Sequence, residues 1–549
     1  MQAHLLRFLP GRADLPDSRR AWAADLVAGL TVAVVALPLA LAFGVASGVS
    51  ATAGIVTAVV AGAVAALFGG SRLQVSGPTG AMTVVLVPIV ADLGVGAVPA
   101  LALLAGGLLV LGGLLGAGRL VSHLPWPVVE GFTLGIAVVI AAQQVPLALD
   151  VAKPEGENAV AVAARAVGDF LDEPRTEPLL LLLLAVVGTA LLTRLHRALP
   201  AALLAVGACT LVAWAGDLDV VTIGALPHGL PAPSVPAFEH LGALIGPAVV
   251  VAALAALESL LSARVADGMS DLGRHDPDRE LVGQGLANVA SSFFGGLPAT
   301  GALARTAVNA RSGAQTRVAA VVHALVLLVV MLTVAGLVGH IPLVALAGVL
   351  LVTAWRMVDR ATARAVLRST RADAAVFGLT ALLTVAVDLV TAVEVGLLTA
   401  GAIALVKLAE TSRVVEDADV SLGVDDEHGL LRQHVLVYRL DGPLFFAAAT
   451  RFLHELTTVS DVRVVVLRLG NLAMLDATGA QAVAEVVEQL DARDIAVIVK
   501  VADPEHVRLL RTVGALRLLD ERGHVHDELA RALDHARRHA AGLAGGPRD

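Results

Sequence analysis

Phe68-Gly69-Gly70-Ser71-Arg72-Leu73-Gln74-Val75-Ser76-Gly77-Pro78-Thr79 and Phe294-Gly295-Gly296-Leu297-Pro298-Ala299-Thr300-Gly301-Ala302-Leu303-Ala304-Arg305 open alike. Each lies between long apolar runs and begins a helical stretch too short to cross a bilayer, which takes about 20 residues. Two such Gly/Pro-interrupted segments at matching places in two halves mark an inverted-repeat membrane architecture, their positive helix ends aimed at a midplane site that suits an anion. Pro78 fits a first helical turn, where its missing N–H would be unpaired anyway. That leaves the Thr79, Gly80 and Ala81 amides for an anion, with Gly301, Ala302, Leu303 and Ala304 expected to act likewise.

The 549 residues are 57% hydrophobic and 16% charged, with a mean hydropathy of +0.80. That is too apolar for a soluble enzyme and reads as a polytopic membrane protein. A net charge of -9 without a basic block gives no sign of nucleic acid as a partner. Cys209 is the only cysteine, so neither an internal disulfide nor a Cys-based metal site is available. Arg7, Arg12, Arg19 and Arg20 precede the first apolar run without a cleavage motif, and residues 1–20 read as a cytoplasmic segment.

Fourteen apolar runs follow, near 26–46, 51–69, 79–91, 97–117, 124–145, 179–194, 199–216, 241–263, 281–294, 302–310, 316–338, 342–354, 374–389 and 392–409. The third and tenth are short, giving seven plus seven. With the N-terminus inside, the cytoplasmic connections carry Arg72, Arg119, Arg194, Arg197, Arg264, Arg274, Arg279, Arg311 and Arg317, then Arg356 to Arg371; of the connections on the other side, 217–239 has no base and 146–178 has Lys153, Arg165 and Arg175 amid more acids. This agrees with the positive-inside rule and puts both termini in the cytoplasm of a cell whose inner (plasma) membrane holds the chain. The transport domain is expected over 21–412. A soluble α/β domain follows over 413–540, with strands at His434–Leu440, Arg463–Leu467 and Ile495–Val499 and helices at 447–458, 478–491 and 504–512. Residues 541–549 read as a disordered tail.

Several stretches resemble the sulfate permease (SulP) family of anion transporters, relatives of prestin and pendrin. They are Asp25-Leu-Val-Ala-Gly-Leu-Thr31 through Pro38-Leu-Ala-Leu-Ala-Phe43, Gln74-Val-Ser-Gly-Pro-Thr79, Glu280-Leu-Val-Gly-Gln-Gly-Leu-Ala-Asn288, and Arg305-Thr-Ala-Val-Asn309-Ala-Arg-Ser-Gly313. The soluble domain resembles a STAS domain, and Leu475-Asp476-Ala477-Thr478-Gly479 resembles its phosphorylation loop with Ala477 in place of the modified Ser. The resemblance implies seven inverted pairs divided into core and gate domains, a homodimer, and elevator-like alternating access. It also implies an anion held between the third and tenth helix N-termini, with Leu39 and Phe43 of the first helix facing it.

Arg305 sits early in a short membrane helix, where an uncompensated Arg costs roughly 3 kcal/mol, so it must face a cavity or a partner. Glu258 lies deep in the eighth run with Ser262 one turn on, and a lone acid there must be paired, protonated or hydrated. A carboxylate whose proton affinity responds to Arg305 or to an anion meets the physical requirement for proton coupling; a fixed Glu258–Arg305 ion pair would not. Leu303 stands where sodium-coupled relatives supply a hydroxyl, so a co-transported proton is favoured over sodium. Glu130, Asp388 and Glu394 lie nearer run ends and are left out. His535 and His539 share a helix face but have no evident third ligand, so no metal and no cofactor are expected. The leading expectation is thus a proton-coupled symporter of a small inorganic anion or carboxylate. Electroneutral exchange, sodium-coupled bicarbonate transport and a membrane-tethered regulator acting through the STAS domain are the alternatives; nucleobase permeases share the plan but normally lack the tail.

Overall fold

The computed structural model describes residues 8–121, 125–156, 158–195, 200–239, 241–387, 389–411, 413–416, 435–445 and 462–544. It forms two compact units, Met1–Leu398 and Thr399–Asp549. Each of the fourteen apolar runs holds a helix: α1 (Arg19–Ala46), α2 (Ala51–Phe68), α3 (Gly80–Leu93), α4 (Ala97–Leu114), α5 (Trp126–Ala148), α6 (Thr176–Leu195), α7 (Ala201–Ala215), α8 (Leu241–Gly268), α9 (Pro277–Phe293), α10 (Leu303–Arg311), α11 (Val318–Thr333), α12 (Leu343–Met357), α13 (Arg371–Ala386) and α14 (Leu389–Glu410). Among the described residues, α1, α2, α4, α5, α6 and α8 are long and apolar enough to cross a membrane.

Local chemistry sets several helix starts. The Ser18 and Ser50 hydroxyls accept the Ala21 and Ala53 amides at 3.2 and 3.1 Å, capping α1 and α2. Residues 146–178, read from sequence as a connection, contain a further helix, Ala159–Asp172, capped by Asn158; its stripe of Val162, Ala163, Ala166 and Phe170 is buried. The run at 316–338 is broken, with a separate turn at Ala335–Gly339. Small residues let α4 and α9 touch: a Cβ on Gly106 would fall 2.7 Å from the Gly285 carbonyl, and one on Gly285 2.6 Å from that of Gly106.

Ahead of α3 and α10 the chain is extended. β1 (Ser76–Gly77) and β2 (Thr300–Gly301) pair antiparallel, Ser76 opposite Gly301 and Gly77 opposite Thr300. The two short helices, of 14 and 9 residues, therefore set out from one shared ladder. Its non-helical backbone is tolerable at membrane depth because protein encloses and bonds it.

Polar side chains from α9 and α10 fix this crossing. Buried Glu280 accepts the Gly70 and Ser71 amides at 2.8 and 3.0 Å and the Gln74 and Gln284 side-chain amides at 2.7 and 3.0 Å. Asn288 accepts the Ala299 N–H at 2.8 Å and donates to the Ala299 carbonyl at 2.9 Å, as a strand neighbour would. Asn309 donates to the Leu73 carbonyl at 2.8 Å. Asp25 is buried and accepts the Gln315 and Thr316 amides and the Thr316 hydroxyl, pinning α1 to the start of α11.

The second unit contains a five-stranded sheet of β3 (Arg413–Glu416), β4 (Val435–Leu444), β5 (Val464–Leu475), β6 (Ala496–Lys500) and β7 (Val525–His526), in sequence order. β3–β4 is antiparallel and the other pairs are parallel. Alternation assigns its two faces. Val465, Leu467, Val497 and Val499 pack under α15 (Ala477–Asp491), α16 (Pro504–Val513) and α17 (Arg517–Glu521). Val464, Val466, Ala496 and Ile498 pack against Ala532, Leu533, Ala536 and Ala540 of α18 (Leu529–Ala544). α18 continues to Ala544, past residue 541, where the sequence places the start of a disordered tail. Asp388, the helix expected at 447–458 and residues 545–549 lie outside the described residues.

Candidate functional site

A polar ladder zips α8 to β2 and α10. The Glu258 carboxylate accepts the Thr300 hydroxyl at 2.9 Å, the Ser259 hydroxyl accepts the Gly301 N–H at 2.9 Å, and the Ser262 hydroxyl donates to the Thr306 hydroxyl at 2.9 Å. The same Glu258 oxygen takes the Thr79 hydroxyl at 2.7 Å from the start of α3. Glu258 thus bridges both short segments through two hydroxyls. Ser262 belongs to the same face but pairs with Thr306, which also accepts the Val75 N–H at 3.0 Å.

The two helix ends differ in detail from the sequence expectation. Thr79 is the N-cap of α3, in extended conformation and without a side-chain cap bond, and Pro78 precedes it instead of lying in the first turn. The amides that a helix leaves unbonded there belong to Gly80, Ala81 and Met82. On α10 the Gly301 N–H is taken by Ser259 and the Ala302 N–H by the Val75 carbonyl at 2.8 Å. The uncapped first turn there is Leu303, Ala304 and Arg305. Gly301 and Ala302 therefore form the strand ladder and leave the dipole end to the next three residues. Leu303 is 50% exposed at this tip.

Phe43 and Leu39 of α1 are buried, and a Cβ on Gly80 would stand 3.4 Å from the Phe43 ring and 2.2 Å from Ile140, so this wall closes tightly on the α3 tip. Arg305 is 2% exposed. One guanidinium N–H donates to the Pro78 carbonyl at 2.5 Å, while Nη1 is buried without a hydrogen-bond partner. It lies over Gly77, where a Cβ would come within 2.6 Å of Nη1 and where φ is +153°. Among the described residues no ion pair joins Arg305 to Glu258; Arg305 is held by the opposite short segment and Glu258 by hydroxyls from both. The two ends together offer backbone donors, a buried cation and a hydroxyl-bound carboxylate.

Thr300, Ser259 and Thr306 were not singled out by sequence. Away from this site, His524 is buried beside His535 and His539, supplying the third histidine that the sequence reading lacked.

Comparison with known proteins gives this geometry its context. Residues 22–380 match the sulfate permease family and residues 431–532 the STAS domain. The chain is 37% identical to the putative sulfate transporter YvdB of Bacillus subtilis over 77% of its own length and 80% of the relative's. It is 32% identical to the bicarbonate transporter BicA of Synechocystis over 93% and 94%. The solved transmembrane domain of a cyanobacterial BicA covers 68% of this chain and 98% of its own at 35% identity and a TM-score of 0.64. Murine Solute Carrier 26 family member A9 shares the fold, with a TM-score of 0.86 over 98% of this chain and 95% of its own at 17% identity. A short helix pair with opposed, uncapped ends and a following five-stranded domain therefore belongs to an integral membrane transporter, not an enzyme: the chain is a member of the sulfate permease family with a C-terminal STAS domain.

Proposed function

We propose that this anion transporter holds a small inorganic anion or carboxylate between the first turns of α3 and α10, and that Glu258 couples its movement to a proton. Carrying the reading is the meeting of two uncapped helix ends beside an Arg305 guanidinium with an unpartnered N–H. Backbone dipoles and one buried cation attract negative charge without naming the molecule, which fits relatives described as sulfate and bicarbonate transporters. Moving one charge against 100 mV costs roughly 2.3 kcal/mol, so a negative interior gives anion uptake a reason for a cation partner. Glu258 can take a proton without an ion pair breaking, since hydroxyls alone hold it. A change of Arg305 position or anion occupancy then alters its field. Alternating access would carry the α3–α10 crossing as one body, its ladder intact, in a protein whose termini face the cytoplasm and which forms a homodimer.

One observation favours sodium as a second reading. Thr79 and Thr300 put two hydroxyls on the Glu258 carboxylate, an oxygen cluster that sodium accepts, although Leu303 offers none. Proteoliposome uptake of radiolabelled sulfate, bicarbonate, chloride and a dicarboxylate, with proton and sodium gradients imposed in turn, separates these readings. Stimulation by an inward proton gradient alone is expected. Uptake that ignores both gradients but requires anion on the far side would replace symport with exchange.

A further inference from the structure

We propose that the STAS domain carries a divalent transition-metal site, with zinc the best fit, built from His524, His535 and His539. His524 comes from the segment leading into β7 and the other two from consecutive turns of α18. One ring nitrogen from each lies within 4.8 Å of the other two, and the His524 ring stands 5.0 and 5.4 Å from those of His535 and His539, centroid to centroid. Three imidazoles converging this closely from two elements match the nitrogen sets that zinc takes, with a fourth position left for water or an outside ligand.

The surroundings point the same way. Metal-bound histidines usually donate their second ring N–H to a fixed acceptor, which sets the tautomer and aims the ligating nitrogen. Nδ1 of His524 lies 2.9 Å from the Val497 carbonyl and must donate to it, which leaves Nε2 to face the cluster. Nδ1 of His535 lies 2.9 Å from Nε2 of His526 in β7, so His526 can serve as the acceptor for His535 in the same way. His526 is thereby a positioning residue and not a ligand.

Charge does not oppose a cation here. Arg522 is paired with Asp491 and Arg538 with Asp534, so two of the nearby cations are already matched. A bound ion would fasten α18 to the β6–β7 edge of the sheet.

The test uses the full-length chain in detergent, purified without a polyhistidine tag and stripped with a chelator. Zn²⁺ is titrated in competition with a colorimetric chelator, and Co²⁺ is used as a spectroscopic probe. About one tight equivalent per chain and a tetrahedral cobalt absorption are expected. His535→Gln and His539→Gln, both on an incompletely buried helix face, should each weaken Zn²⁺ binding by at least 100-fold and remove the cobalt band, while His526→Gln should weaken it about 10- to 100-fold. The α-helical circular dichroism of all three should match the parent. Binding well below one equivalent, or unchanged affinity in both ligand variants, overturns the site and leaves a proton-sharing histidine cluster.

Discussion

Arg305 keeps its guanidinium inside the protein, gives one N–H to the Pro78 carbonyl and leaves Nη1 unanswered by any described group. A small anion at the proposed site would supply an acceptor for it. Hydrogen bonds to charged groups are worth about 1.5–3 kcal/mol, so Arg305→Ala should raise the anion KM by roughly 10- to 100-fold. Arg305→Lys should recover only part of that, having the charge without the planar fork. Uptake measured against anion concentration decides it, and an unaltered KM removes Arg305 from the site. Glu258→Gln keeps the shape and the Thr79 and Thr300 contacts but cannot titrate; it should abolish stimulation by a pH gradient, and persistent stimulation in a folded variant would falsify proton coupling through this acid. These two residues were legible in the sequence because a lone charge in an apolar run is costly wherever it sits. Thr300, Ser259 and Thr306 were not. Hydroxyls in apolar helices commonly satisfy themselves on the carbonyl one turn back, as Thr31, Thr133 and Thr210 do here, and nothing in the local sequence separates such a hydroxyl from one that bridges two elements.

The short segments announce themselves by length and by Gly-Pro punctuation, but the ladder that joins them does not. A two-residue pairing between positions this far apart leaves no periodicity; together with the Ser259 hydroxyl, which takes the Gly301 amide, the junction consumes the Ala302 amide on Val75 and moves the free helix end of α10 on to Leu303. Gly77 sits at the core of that junction. Gly77→Ala forces a side chain into a φ of +153° and against Arg305, whereas Gly94→Ala, at φ +77° with nothing within 4 Å, meets backbone strain alone. Strain of this kind costs of order 1–3 kcal/mol, so both variants should melt earlier in a thermal-shift assay while only Gly77→Ala raises the anion KM. Equal transport by the two variants would show that Arg305 needs no precise seat. A second element-level test concerns the segment before α1. Asp14 lies 2.9 Å from Arg279 and 3.0 Å from Arg317. Burial raises its carboxyl, but the Gly11 amide and the two guanidiniums outweigh that and hold it below the ordinary carboxylate range. With a depressed folded value, its stabilisation is present above the ordinary value and disappears as pH falls through the lowered one. Asp14→Asn should therefore melt earlier than the parent at neutral pH, with a gap that closes on acidification; a pH-independent gap would assign the loss to shape instead of charge.

At the scale of the whole chain, hydropathy and compactness divide the molecule at different places. Composition turns polar after about residue 412, yet the first compact unit ends at Leu398, inside α14. The reason is visible along that helix. Leu398, Leu405, Val406 and Leu408 are 73, 43, 58 and 42% exposed, so its apolar character does not come from burial within its own unit and a hydropathy reading cannot locate the structural seam. The strands β4, β5 and β6 were legible because both sheet faces are covered and their Val-rich runs are short and bounded by polar turns. β3 and β7 have four and two residues, too few to carry a pattern. For transport, what matters is that every residue assigned to the anion and its coupling ion, from Leu39 to Arg305, lies in the first unit. The transmembrane domain of a cyanobacterial bicarbonate transporter has likewise been solved as a chain of which this one covers 98%. A chain ending at residue 412 should thus take up anion with an unchanged KM and an unchanged response to a proton gradient, whatever happens to its expression or turnover. Uptake is to be normalised to reconstituted protein and compared with the full chain. A truncated protein that is monodisperse and helical but inert would mean that the STAS domain is part of the transport machinery, and the assignment of the whole mechanism to the α3–α10 crossing would have to be given up.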